Sequence, residues 1–224
     1  MLRSSYLYLL FLVSWQSGYC QYLSNPSSPA FPWKGFFISD EAFFGLKIGY
    51  QKDRVFKKEF KNSMLELARN ANQGVATLNF NDRVEVFGVV GEDKINIEKT
   101  GLLKKNSFEW GAGMKSILLS ADTLFFSLAA GYLVSYLPKD FLFESNKEWQ
   151  LELSLCKRIE YFTFYASGAY SKGFLKGYPE KISTSNPYIL IVGGSFFTKN
   201  GFSMNGELRF FGELGLGFDF NIRL

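Results

Sequence analysis

The feature that most restricts this chain is an alternation of apolar and polar residues with a period of two, sustained over unusually long segments. The C-terminal stretch shows it best. Leu214, Leu216, Phe218, Phe220, Ile222 and Leu224 share one parity, and Glu213, Gly215, Gly217, Asp219, Asn221 and Arg223 share the other. Successive side chains of a strand point to opposite faces, so such a segment has one greasy face and one polar face. The preceding stretch sets Phe202, Met204, Leu208 and Phe210 against Ser203, Asn205, Glu207 and Arg209. Trp149, Leu151, Leu153 and Leu155 alternate with Glu148, Gln150, Glu152 and Ser154, and Phe162, Phe164, Ala166 and Tyr170 with Thr163, Ser167 and Ser171. A soluble sandwich also alternates, but its strands average about 5–6 residues, and segments 123–136 and 160–172 are far longer. Strands that cross a bilayer need about 9–11 residues. Length points to a membrane wall.

The candidate strands are 43–54, 71–81, 83–92, 107–118, 123–136, 147–157, 160–172, 187–198, 201–211 and 213–224. Tight turns near Asp82, Asp122, Arg158 and Asn200 alternate with longer polar connections over 55–70, 93–106, 137–146 and 173–186. Short turns on one side and long loops on the other are the rhythm of outer-membrane barrels, which carry an even number of antiparallel strands. The expectation is an all-β chain closed into an antiparallel transmembrane barrel of about ten strands, with its N-terminus periplasmic. The first external connection is ambiguous. Phe60, Met64, Leu65, Leu67 and Ala68 recur within 59–70 with roughly helical spacing, so a short helix there competes with a strand extension.

Composition agrees. Aromatic residues make up 18 %, and although 47 % of residues are hydrophobic, charges recur every few positions beyond the N-terminus. No stretch there is apolar for the roughly 20 residues a transmembrane helix needs. The formal charge of +4 is too mild for a nucleic-acid surface. The lysine groups Lys57, Lys58 and Lys61; Lys99, Lys104 and Lys105; and Lys172, Lys176 and Lys181 fall between strand-like segments and read as solvated loops.

The N-terminus reads as an export signal. Arg3 precedes an apolar run over 6–15, and Ser17 and Gly18 follow it. Cleavage after Cys20 divides the chain into a signal (1–20), a periplasmic segment (21–41) and a barrel (42–224). The alternative, a lipidated Cys20, is disfavoured by the bulky Tyr19. If Cys20 departs with the signal, Cys156 is the one cysteine left and no internal disulfide can form. The alternating C-terminal strand resembles the segment through which barrel-assembly machinery inserts such proteins, with Leu224 where an aromatic residue is usual.

The chain has no histidine, which removes the usual general base near neutral pH and the commonest metal ligand. Glu148 with Glu152, and Glu92 with Asp93, are carboxylate pairs without a further catalytic constellation. Gly111, Gly113, Gly215 and Gly217 lie in strands, not before a helix, and read as relief of crowding in a wall. No enzyme, cofactor or metal site is expected. A charge facing lipid at the midplane costs about 2–4 kcal/mol. Lys47, Glu85, Glu109, Lys115, Glu148, Gln150, Glu152, Glu207, Arg209, Asp219 and Arg223 should therefore line the lumen, either as a ring that tunes ion passage or as an interlocked filling. Cys156 shares their parity. Trp110, Tyr132, Tyr136, Trp149, Phe162 and Tyr170 fall on the lipid-facing parity, where they read as interface anchors.

Several segments, in order along the chain, resemble the chlamydial major outer membrane protein, a porin family. Asn25-Pro26-Ser27-Ser28-Pro29 is similar to the family's start after the signal, and Leu46-Lys47-Ile48-Gly49-Tyr50 with Asp53-Arg54-Val55-Phe56 to its first strand. Leu78-Asn79-Phe80-Asn81-Asp82-Arg83-Val84-Glu85-Val86-Phe87 with Gly91, Phe108-Glu109-Trp110-Gly111-Ala112-Gly113, and Glu148-Trp149-Gln150 with Leu153-Ser154 and Phe162-Thr163-Phe164-Tyr165 resemble later family motifs. The chain is shorter and poorer in cysteine than the family. The resemblance implies a bacterial outer-membrane porin for passive diffusion of ions or small solutes, embedded in the lipid bilayer, with homo-oligomerisation left open. The alternative expectation is a non-conducting surface barrel whose basic external loops bind a host or envelope partner.

Overall fold

The computed structural model describes residues 45–61, 66–80, 84–98, 105–121, 123–137, 143–159, 161–177, 181–198 and 202–223. The expected signal (1–20), the segment 21–41 and Leu224 lie outside these residues. Eleven strands follow in order: β1 Gly45–Glu59, β2 Glu66–Asn79, β3 Val84–Glu98, β4 Lys105–Ala121, β5 Leu124–Tyr136, β6 Phe143–Ile159, β7 Phe162–Gly177, β8 Lys181–Ser183, β9 Tyr188–Phe197, β10 Phe202–Phe211 and β11 Glu213–Arg223.

Ten of these form a closed antiparallel ring. Each strand from β1 to β7 pairs with the next, β7 pairs with β9, β9 with β10, β10 with β11, and β11 returns to β1 through a ladder from Lys47↔Arg223 to Lys58↔Glu213. Closure leaves no free sheet edge, as backbone donors and acceptors in hydrocarbon require. Followed across the ladders in one direction, the row through Tyr50 reaches Phe162 on β7 by way of Phe220, Met204 and Phe196. In the other direction it reaches Phe174 by way of Gly74, Val90, Trp110, Val134 and Lys147. The two arrivals differ by 174 − 162 = 12 residues along one strand. With strands about 4.8 Å apart and a rise of about 3.3 Å per residue, that stagger on ten strands means a tilt of about 40° and a diameter of about 20 Å between opposite backbones.

At that tilt, the ten residues each of β9 and β10 cover about 25 Å of membrane thickness, the height of an apolar barrel band. β4 and β6, at 17 residues each, rise well above this at the end away from the chain's N-terminal strand start. The short β8 completes the wall over the low side. It pairs with the upper part of β7 (Leu175↔Ile182), and just beyond it Thr184 bridges to Phe60 at the top of β1. Lys61 and Ser185 add backbone bonds of 2.8 and 2.9 Å to the same junction. The rim at this far end is thus closed by eight strand segments above a ten-stranded body.

The far end corrects one expectation. No helix occurs among the described residues, and 59–70 is strand wherever it is described, apart from a bridge at Phe60 and a turn at Lys61. A bulge lies just before this segment. Val55 pairs with Gly215 but Lys57 with Leu214, so Phe56 and Lys57 both face outward and the parity of β1 resets. Lys58 and Phe60 then point inward beside Leu67 and Arg69. The helical spacing over 59–70 comes from reading the end of β1 and the start of β2 as one segment. Lys58, read from sequence as loop surface, is buried because of the bulge.

The two faces of the wall are sorted by chemistry. On β11, Phe218, Phe220 and Ile222 are 53, 48 and 53 % exposed, whereas Asp219 and Asn221 are 3 and 2 % exposed. Greasy rows face out and ionised rows face in, the inverse of a soluble sandwich. The exposed aromatic residues collect near the two ends. Trp149 and Tyr170 pack at 5.1 Å and Tyr170 and Tyr188 at 5.5 Å towards the far end, and Phe162 and Phe196 at 5.2 Å towards the other.

Candidate functional site

The lumen collects the chain's buried charge. Of the sequence-predicted lining residues, Lys47, Glu85, Glu109, Lys115, Glu148, Glu152, Glu207, Arg209 and Asp219 all lie inside the barrel and are at most 3 % exposed. Gln150 and Cys156 are buried among them. Arg223 pairs with Lys47 through the backbone; its side chain lies outside the description.

Three groups of contacts fill the interior. At the end where β1 begins and β11 finishes, Lys47 Nζ lies 2.7 Å from Glu85 Oε1. Nearby, Asn221 donates to Asp219 at 2.7 Å and Asn205 to the other Asp219 oxygen at 3.3 Å. The second group surrounds Arg209. Its Nη1 contacts Glu213 at 2.9 Å, its Nη2 contacts Asp53, and its Nε lies 3.7 Å from Glu207. Lys58 extends this group by bridging Glu213 at 3.0 Å and Glu148, which also accepts from the Ser171 hydroxyl. In the third, Arg69 Nε contacts Asp93 and its Nη2 contacts Glu109, both at 2.8 Å, while Gln73 and Ser135 donate to Glu109. Lys115 is buried apart from these three groups.

Apolar residues seal what the charges leave. Phe60, Leu67, Ile95, Leu137, Phe143 and Leu175 form a buried cluster across the far mouth, with Ile182 packed against it. A second cluster, including Ile117, Phe125, Cys156, Tyr165 and Ile191, fills the β4–β9 side lower down.

Inward-facing glycines supply the room. A Cβ on Gly215 would stand 2.9 Å from Arg209 Nε, and one on Gly217 would stand 3.0 Å from Glu207 Oε1. The arginine and glutamate therefore lie flat across the glycine strand opposite them. Gly215→Val is expected to displace the guanidinium from its carboxylates and lower stability by about 2–3 kcal/mol. Denaturant titration of refolded protein measures this.

Asp53, Lys58, Arg69, Asp93 and Glu213, all members of the network, were not among the lining residues expected from the sequence. Asp53, Asp93 and Glu213 sit near the far ends of strands, where the expected boundaries stopped early or began. Lys58 was hidden by the bulge, and Arg69 lay just before the expected start of its strand at 71. Strict counting of parity through the outer connections would have found Asp93 and Arg69; the bulge leaves no local sign by which Lys58 could be placed.

No protein-family model matches the chain, and no curated protein matches it by sequence. Its structure does have likenesses. The β domain of the Bordetella autotransporter Brka aligns with a TM-score of 0.51 at 10 % identity, over 80 % of this chain and 98 % of that one. The Escherichia coli outer membrane protease OmpT aligns at 0.34 and 11 %, over 80 % and 92 %, and the transport unit of the autotransporter AIDA-I from Escherichia coli at 0.33 and 9 %, over 98 % and 96 %. The first likeness shows a shared closed-barrel fold.

Proposed function

We propose that this chain is an integral bacterial outer-membrane barrel whose lumen is filled and closed, and that it acts as a surface barrel presenting its far-end connections outside the cell. One observation carries the reading: the polar side chains facing inward along the ring of strands are almost entirely removed from solvent, beneath an apolar lid. A barrel of about eight strands is just filled by side chains, whereas water-filled porins use about 16–18; ten lies near the former. The greasy exterior with aromatic residues near both ends supports residence in a bilayer. The absence of histidine supports a role without catalysis. Insertion would proceed through β11 and the barrel-assembly machinery.

The second reading is the porin for passive diffusion of ions or small solutes, which the motifs similar to the chlamydial family favour. Planar-bilayer recordings on refolded, heat-modifiable protein separate the two. The closed lumen predicts a silent membrane; regular single-channel steps would replace it with the porin.

A further inference from the structure

The outward face carries a set of cations that the lumen network does not use. Lys52 and Arg54 on β1, Lys94 on β3, Lys147 on β6 and Lys172 on β7 point away from the lumen, and none of them forms an ion pair among the described residues. Other outward lysines of the rim are neutralised: Lys57 bonds Glu59 and Glu66, and Lys176 bonds Glu144. Arg54, Lys94, Lys147 and Lys172 lie in the far-end parts of their strands, with Lys52 one outward position below Arg54. Each lies one or two outward positions beyond an aromatic or aliphatic residue of its strand (Tyr50, Val90, Trp149 or Tyr170), and Phe56 and Phe174 follow Arg54 and Lys172. They therefore stand where the greasy band meets the headgroup layer at the far end.

Their surroundings suit a phosphate. The ladder sets Arg54, Asn70 and Lys94 side by side, and the row below it holds Lys52, Asn72 and Glu92. Asn72 accepts the Tyr50 hydroxyl at 2.7 Å through Oδ1, so its amide N–H groups remain donors. Arg54 lies 4.8 Å over the Phe56 ring and Lys172 lies 5.7 Å from the Phe174 ring centre, which holds both cations against apolar surface while their charge faces outward. Glu92 is the outward carboxylate among these rows; the surplus is positive.

We propose that these five residues form a collar that binds the anionic, phosphate-bearing headgroups of the lipid leaflet at the far end. The proposal rests on the bilayer residence argued above. Cationic side chains near a membrane surface attract anionic lipid, and salt screens that attraction.

Brominated lipids test it. The chain has four tryptophans, so Trp15→Phe with Trp33→Phe leaves Trp110 and Trp149, both near the collar, as emitters. The protein is refolded into vesicles of phosphatidylcholine mixed equally with phosphatidylglycerol, with one or the other lipid brominated. Quenching is expected to show a several-fold preference for phosphatidylglycerol, weakened by salt. The preference should vanish in the variant carrying K52Q, R54Q, K94Q, K147Q and K172Q, and persist in K157Q, which removes an exposed lysine near the opposite end. Equal quenching by both lipids in the unsubstituted protein, or an unchanged preference in the five-site variant, overturns the collar and leaves the barrel intact. Failure to insert, seen as no heat-modifiable band and no quenching by either lipid, overturns the bilayer reading and the collar with it.

Discussion

Arg209→Leu is expected to lower the folding stability of the barrel by about 3–5 kcal/mol, the cost of stranding buried charges whose partner has been removed. The guanidinium is fully buried and serves three carboxylates at once, those of Asp53, Glu207 and Glu213. Lys58, which also contacts Glu213, is shared with Glu148. Arg209→Lys should recover part of the loss, because it restores the charge without the planar fork that meets several oxygens. Urea titration in vesicles, followed by tryptophan emission, measures both. A loss below about 1 kcal/mol in the leucine variant would mean that water enters the lumen and solvates the carboxylates, contrary to the filled interior.

The second large effect concerns the outer face. Leu153 lies midway along β6, 47 % exposed, with Ser154 and Glu152 pointing inward beside it. Leu153→Arg is expected to cost about 2–4 kcal/mol in a bilayer, the penalty for arginine at the midplane. Leu119 is more exposed, at 65 %, but lies close to the β4–β5 turn; Leu119→Arg should cost only about 0–1 kcal/mol. Refolding yield into vesicles and the unfolding midpoint check the contrast. In a water-soluble protein both arginines would be harmless, so equal tolerance at the two positions would sink the membrane reading.

How much of this was legible beforehand depended on whether the alternation ran unbroken. In β11 and β10 it does, and the inward rows Glu207, Arg209, Asp219 and Asn221 could be read directly from parity. The core of each ring strand was visible for the same reason. At the far end parity failed. There a bulge at Phe56 and Lys57 on β1 and a register shift between Phe143 and Ser145 each move one residue across the wall, and a third shift, between Ile117 and Leu119, does the same near the β4–β5 turn at the other end. Nothing in a single sequence distinguishes such a shift from the end of a strand. The outer connections were therefore read as longer than they are, and the members of the network nearest the mouth were missed. β8 was invisible for another reason: three residues carry no period, and the segment is strand because β7 and Phe60 offer it unpaired backbone above the low side of the wall.

The closure between β1 and β11 has a consequence for biogenesis. Those two are the first and last of the described strands, so among the described ladders theirs has the greatest sequence separation and the heaviest loop-closure cost. Until it forms, the nascent sheet exposes two long rows of unsatisfied amides, each an invitation to pair with a neighbouring molecule. Sealing the seam is therefore the step most exposed to aggregation, and the folding of this protein should be limited by how well those margins are shielded until they meet.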